Sequence, residues 1–258
     1  MQIVTKGLVL REVKVGESDK ILTILTPEYG IITASAKGSL RLKSKLFSAC
    51  GLFCYSEFTL FSGRSRYMVN DAQVKTVFHG ISASVEAMAL AMYLAEIAII
   101  LAPTGPEAPM QLRLLLNSFY LLSEGKNDPR QIKAVYELRS MSENGYMPDL
   151  LCCKGCGVYD GDQFYFDVVG GRLLCPDCAA RQGLRPNLTR STLTALRHIA
   201  LVEEKRIFSF RLAPQSLVAL GRVTQSYLLA CLDRPLKTLD FLNTVLPLPQ
   251  APPQEPQE

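Results

Sequence analysis

The chain has 258 residues, 48% of them hydrophobic and 20% charged, with a net charge of +4. At roughly 150 residues per domain that length carries one sizeable core and a second unit; a small disulfide-stapled module is excluded, and the near-average composition excludes wholesale disorder. The longest stretch free of Asp, Glu, Lys and Arg, Phe241 to Gln254, is broken by prolines and falls short of the ~18 apolar residues of a membrane span, and the apolar run between Lys6 and Arg11 is too short for a secretory leader, so a cytoplasmic protein with no membrane partner is expected.

The first eighty residues read as short strands separated by turn chemistry. Ile3 to Val13, Ile21 to Thr26 and Ile31 to Ala36 are rich in aliphatic and β-branched residues, and Gly16-Glu17-Ser18-Asp19 and Pro27-Glu28-Tyr29-Gly30 punctuate them. Leu52 to Phe61 and Tyr67 to Val77 follow, joined by Ser62-Gly63-Arg64-Ser65. Five strands in so short a span close most naturally as a small barrel of the OB type, with an SH3-like barrel as the alternative.

The period then changes. Ser82 to Ala102, Leu112 to Glu124 and a segment from Asp128-Pro129-Arg130-Gln131 to about Glu143 read as three helices, the last with an N-cap Asp, Pro at its first position and Gln at its third. Beyond a cysteine-bearing insert, Leu193 to Val202 and Pro214 to Leu232 supply two more, and helices on both sides of the insert are expected to pack as one bundle. The expected class is therefore α+β and multi-domain: a barrel over 1–80, a helical domain over 81–246 with the insert at about 151–185, and a disordered proline-rich tail over 247–258.

The insert holds the strongest local signal. Cys153-Lys154-Gly155-Cys156 and Cys175-Pro176-Asp177-Cys178 are two C-x2-C knuckles at the separation of a zinc ribbon, with Gln163 to Val168 and Arg172 to Leu174 as its hairpin. Four thiolates leave no open coordination position, so one structural Zn2+ is expected, and a redox dithiol pair is the competing reading. Cys152 adjoins the first ligand, and Cys50, Cys54 and Cys231 read as buried apolar thiols.

Positive charge concentrates near the N-terminus. Residues 1 to 80 hold eleven Lys and Arg against six Asp and Glu, and no acid occurs between Glu28 and Glu57, where Lys37, Arg41, Lys43 and Lys45 fall. Arg41, Lys43 and Lys45 alternate with Leu42 and Ser44, so an extended segment points three cations one way, towards a polyanion. The alternative is a solvated loop. Phe47, Phe53 and Tyr55 stand nearby as base-stacking or core residues, and Arg64 and Arg66 are weaker cationic candidates. No phosphate-binding loop, dinucleotide fingerprint or zinc-protease motif occurs, so no catalytic residue is nominated and an enzyme is not expected.

Gly7-Leu8-Val9-Leu10-Arg11, Gly16-Glu17-Ser18-Asp19, Leu22-Thr23-Ile24-Leu25-Thr26 with Gly30, and Ala36-Lys37-Gly38 resemble the N-terminal signature of the bacterial recombination mediator family RecO. The order barrel, helices, four-cysteine ribbon resembles that family over nearly the whole chain, and Arg234-Pro235-Leu236-Lys237-Thr238 looks like its C-terminal motif; Leu40 departs, standing where a second cation is common. The resemblance implies a DNA repair and recombination protein that binds single- and double-stranded DNA, anneals complementary strands and, with RecR, helps load RecA onto DNA coated by single-strand-binding protein. It also implies DNA contacts at Lys37, Arg41, Lys43 and Lys45 and zinc at the four cysteines. The family's capture of the acidic, apolar C-terminal tail of single-strand-binding protein turns attention to Arg113, Arg130, Lys133 and Arg139, the cations of the three helices before the ribbon. A protein-only adaptor is the competing class.

Overall fold

The computed structural model describes residues 1–63, 66–102 and 108–247. Alternating apolar residues in the first third build β1 (Gln2–Val15), β2 (Asp19–Thr26), β3 (Gly30–Ala36), β4 (Cys54–Ser62) and β5 (Tyr67–Val77). Their inward positions, among them Ile3, Leu22, Ile24, Ala34, Phe58, Leu60 and Val69, fill one core. The strands close in the order β1-β2-β3-β5-β4, with β3 and β5 parallel and the other pairs antiparallel. This is the OB arrangement, and closure leaves no sheet edge unpaired.

β1 serves two partners, β4 from Gln2 to Leu8 and β2 from Leu8 to Val15, so it must coil sharply where it changes partner. The register shifts between Val9 and Arg11, and Gly7 permits the close approach: a Cβ there would stand 2.5 Å from Ile24 Cγ2 and 3.2 Å from the Leu25 carbonyl oxygen.

A short α1 (Leu46–Ala49) links β3 to β4, and α2 (His79–Ser82), α3 (Val85–Leu101) and α4 (Pro109–Glu124) follow β5. Ser84 caps α3 by accepting the Ala87 N–H, and α4 ends at Gly125 in the left-handed conformation. α3 packs on β1 and α4 on β2, the strands whose Leu8, Leu10 and Leu25 are buried without belonging to the barrel's core cluster. Phe119 of α4 meets Phe53 and Phe78 edge-on, with ring centroids 5.0 and 5.7 Å apart. The first compact unit therefore runs to Asn127, past the expected barrel boundary at 80. The expectation of a single bundle is corrected in part: α2 to α4 find their apolar partners in the barrel unit, whereas the helix from Pro129, also before the insert, packs with the helices after it.

The second unit, from Asp128, holds α5 (Pro129–Glu143), β6 (Asp149–Cys153), β7 (Gln163–Asp167), β8 (Arg172–Leu174), α6 (Pro176–Ala180), β9 (Leu188–Thr189), α7 (Arg190–Leu201), α8 (Pro214–Leu232) and α9 (Leu239–Val245). Asp128 caps α5 through the Arg130 N–H at 2.8 Å, while Gln131 turns away from the cap and donates to the Phe208 and Phe210 carbonyls. α5, α7 and α8 pack on one another. Between α5 and α8 lies an ion pair, Lys133 to Glu137 at 2.6 Å, extended by Gln225 at 2.9 Å from the ammonium and by the Thr224 hydroxyl donating to Glu137 at 2.7 Å. Such a pair is stable only as a satisfied set.

The expected ribbon hairpin is the centre of a four-stranded sheet in the order β6-β8-β7-β9. Arg197 of α7 holds it in place, donating to the Leu150, Leu151 and Tyr159 carbonyls at 2.7–2.9 Å and lying 4.2 Å from the centre of the Tyr159 ring. The expected tail beyond Pro247 lies outside the described residues. Among the described residues no helix is long and apolar enough to cross a membrane.

Candidate nucleic-acid interface and metal centre

Lys37, Arg41, Lys43 and Lys45 all lie on the surface, in the connection between β3 and α1. The segment is not extended. Arg41, Ser44 and Phe47 each donate a backbone N–H to the carbonyl three residues back, Gly38, Arg41 and Ser44 in turn, at 2.8–3.2 Å, so the chain winds through consecutive tight turns. The strand-like alternation expected for the cations is thereby corrected, because Gly38 and the serines favour turns over a ladder that no neighbouring strand supplies. Lys45 lines a shallow cleft of about 400 Å³ with Glu57, Thr59, Asp71 and Gln73, away from a purely cationic setting.

The loop's base is held by the preceding hairpin. Asp19 accepts the Gly38 N–H at 2.8 Å and the Ser18 hydroxyl at 3.0 Å, and the Leu40 N–H donates to the Ser18 carbonyl at 2.9 Å. The Gly38 N–H, then Ser18, and then the charges of Lys37 and Arg41 hold the Asp19 carboxyl below its ordinary range. Gly16 to Asp19 forms the turn its residues predict, and Ser18 and Asp19 also fix where the basic loop begins. The signal was an acid beside a serine at the far end of a hairpin, visible only once β2 pairs with β3.

Of the nearby aromatics, Phe53 is core, in a left-handed conformation with φ 60° and its N–H on the Val9 carbonyl at 2.9 Å. Phe47 is exposed and Tyr55 half-buried. Arg66 is exposed at the β4–β5 hairpin, where its carbonyl accepts the Gly63 N–H at 3.1 Å, and Arg64 lies outside the described residues.

The four cations considered for a partner notch are not equivalent. Lys133 is buried in its ion pair, which takes it out of any surface role, because removing it from Glu137 would strand a buried carboxylate. Arg139 bonds Glu143 at 2.8 Å and donates to the Ile199, Ala200 and Val202 carbonyls at 3.0–3.3 Å, capping the free C=O groups at the end of α7. Arg130 donates twice to the Pro247 carbonyl at 3.3 Å, and Arg113 is exposed on α4, in the other compact unit.

At the ribbon, the sulfurs of Cys153, Cys156, Cys175 and Cys178 all lie within 4.8 Å of one another, with Cys156 and Cys175 at 3.5 Å. Tetrahedral metal–sulfur bonds of ~2.3 Å need sulfurs about 3.8 Å apart, so this set fits a single ion. The geometry selects Cys153 over Cys152, which is not in the cluster. Cys153 ends β6 and Cys178 sits in α6, and the knuckle between Cys153 and Cys156 passes so close that a Cβ at Gly155 would lie 2.9 Å from Cys178 Sγ. Burial raises the Cys153 thiol, but N–H donors from Cys175, Gly155 and Cys156 bring it down to about 6. For Cys156 the Val158 N–H lowers the thiol, and the protons shared with Cys175 and Cys153 outweigh it and push it up to about 12. Without a cation the four sulfurs compete for protons, and a divalent ion resolves that competition. Arg181, which the spacing did not flag, donates to Cys178 Sγ at 2.7 Å and offsets the negative charge of the thiolates. Cys50 and Cys54 are buried thiols as expected, Cys50 raised to about 12 by burial, whereas Cys231 is only partly covered.

The comparisons with known proteins fit this geometry part by part. The model for the recombination protein O N-terminal region matches residues 1–78, which is the barrel, and that for its C-terminal region matches 83–240, which is the helices and ribbon. The chain is similar to the DNA repair protein RecO of Acetivibrio thermocellus, 35% identical over 241 residues that cover 93% of this chain and 96% of that one. It is likewise similar to those of Alkaliphilus metalliredigens, 30% identical over 91% of this chain and 95% of the relative, and Symbiobacterium thermophilum, 30% identical over 93% and 96%. With both regions matched in order and relatives aligned from barrel to ribbon, the chain belongs to the recombination protein O (RecO) family.

Proposed function

We propose that this protein acts in DNA repair and recombination by holding DNA on the charged surface of its barrel, without bond chemistry of its own. The observation that carries the reading is the group Lys37, Arg41 and Lys43, exposed on a loop whose base Asp19 fixes to an OB barrel. Two strands repel until cations neutralise their phosphates, and a surface that holds both lowers the barrier to pairing. Annealing of complementary strands then needs no nucleotide hydrolysis, in keeping with the lack of a phosphate-binding loop in the sequence. Family membership supports the wider role: assistance, with RecR, to RecA loading on DNA coated by single-strand-binding protein, in the bacterial cytoplasm and nucleoid. Of the four cations considered for that protein's acidic tail, Lys133 and Arg139 serve the fold. The ion at the four cysteines is Zn2+, one per chain, with a structural part to play.

Binding of a labelled single strand measured against salt tests the reading. A log-log slope near −0.7 per phosphate contact is expected. A flat response at low ionic strength, or binding and annealing unchanged on replacing Lys37, Arg41 and Lys43, would move the function elsewhere.

A further inference from the structure

Strand register places one outward-facing row around the barrel. Val13 pairs with Ile21, Ile21 with Ser35, Ser35 with Met68, and Met68 with Phe61. Their neighbours Leu22, Ala34, Leu60 and Val69 belong to the core cluster, so by strand alternation this row faces solvent. At strand spacings of ~4.8 Å it spans roughly 19 Å along the curved sheet. Val13 is 43% exposed, Met68 44% and Phe61 38%. Ile21 and Ser35 between them are half-buried, so the open apolar surface lies at Val13 and at the Phe61 ring and Met68 thioether, and the last two, paired side by side, invite an occupant.

Cations border the strip on two sides. Arg11 pairs with Thr23, and Thr23 with Thr33, in the next outward row; Arg66, one residue before the Tyr67–Ala34 pair, stands at the same level. On the other side lie Lys37 and the loop carrying Arg41. Of the acids on that side, Asp19 has its carboxylate engaged by Gly38 and Ser18, and Glu17 is exposed in the turn before it. Glu57 and Asp71 lie on β4 and β5, lining the cleft with Lys45, so the negative phosphates are steered to the β1, β2 and β3 side. A mainly apolar row between cationic margins complements a polynucleotide whose bases are free to turn inward while its phosphates turn out. A duplex keeps its base faces stacked and offers none.

We infer that the Val13–Ile21–Ser35–Met68–Phe61 row is the seat for unstacked bases of a single strand, with the Phe61 ring and Met68 thioether as the stacking platform. The inference rests on the reading that the barrel binds DNA, and deepens it by separating the groups that take phosphates from those that take bases.

The test compares wild-type protein with Phe61→Ala/Met68→Ala on a labelled single strand and on its duplex at fixed salt. Base stacking at ~1–3 kcal/mol predicts a 5- to 150-fold weaker single-strand Kd, with duplex affinity and salt slope unchanged. Because the chain has no tryptophan, Phe61→Trp supplies a lone indole that can be excited apart from the tyrosines; it should retain single-strand affinity and change its emission on adding a thymidine oligonucleotide. An unchanged single-strand Kd in the double variant, equal losses on both DNA forms, or Trp emission indifferent to saturating oligonucleotide each overturns the inference while leaving phosphate binding intact. Wild-type protein that binds neither DNA form removes both this inference and the reading beneath it.

Discussion

The ribbon and the barrel surface use similar numbers of polar side chains in opposite ways. At the ribbon four sulfurs from two knuckles and Arg181 converge on one point, so each group is committed and the geometry closes. On the barrel the cations diverge into solvent, and only their base is fixed, by Asp19 on Gly38. A closed site turns its interaction energy into folding; an open one keeps it for a partner. The lesson is that charge on the surface is available in proportion to how few internal partners it has, which is why Lys133 and Arg139 contribute to architecture while Arg41 does not.

Removing the metal should have the largest effect and tests the closed half. Structural zinc sites contribute on the order of 10 kcal/mol to folding, so chelation, or Cys153→Ser with Cys178→Ser, should expose 151–185 to limited proteolysis. Single-strand binding by the barrel should survive in the same sample, and parallel loss of both would erase the contrast. Next in size is the buried ion pair. Lys133→Ala takes the ammonium away from the buried Glu137 carboxylate and should cost about 3–5 kcal/mol, read as a lowered denaturation midpoint. A neutral result would return Lys133 to the surface candidates.

The open half gives smaller and graded effects. Replacing Lys37, Arg41 and Lys43 by alanine should flatten the single-strand salt slope by about 2 with little change in melting temperature. Lys45→Ala should move the slope least, given its place beside Glu57 and Asp71. The smallest effect concerns pH. The Asp19 carboxyl is lowered in the folded state, so its contribution is present above the unfolded value of 3.8 and is lost as pH falls through the lower folded value. Protection of the Gly38 amide relative to its intrinsic exchange rate should therefore persist below pH 3.8 and be lost only as pH falls through the lower folded value, whereas Asp19→Asn should show weak protection with no such acid transition. Acid-independent exchange in the native protein would detach the hairpin from the loop.

Short-range features were legible. Period-two and helical patterns located the five strands and the five longer helices, because each pattern repeats within a few residues and its apolar face has to be buried somewhere. The knuckle spacing named the four ligands because two sulfurs three residues apart reach one ion from a single turn. The short α1, α2 and α9 and the strands β6 and β9 were not legible, since elements of two to seven residues show too little of a period and are held by their neighbours.

Whether a cation was free for a ligand also lay beyond the sequence. Lys133 and Arg130 sit three residues apart on α5, yet one is buried against Glu137 and Gln225 and the other reaches the Pro247 carbonyl, 117 positions away. The turns of the basic loop and the row from Val13 to Phe61 follow likewise from which strands pair. By itself, then, the sequence determined the barrel's strands, the principal helices and the metal ligands, all through contacts made over a few residues. Tertiary structure alone decided which helices share a core with the barrel, which charges stay exposed and which apolar side chains meet in one outward row, because burial and cross-strand register are set by residues far apart in the chain.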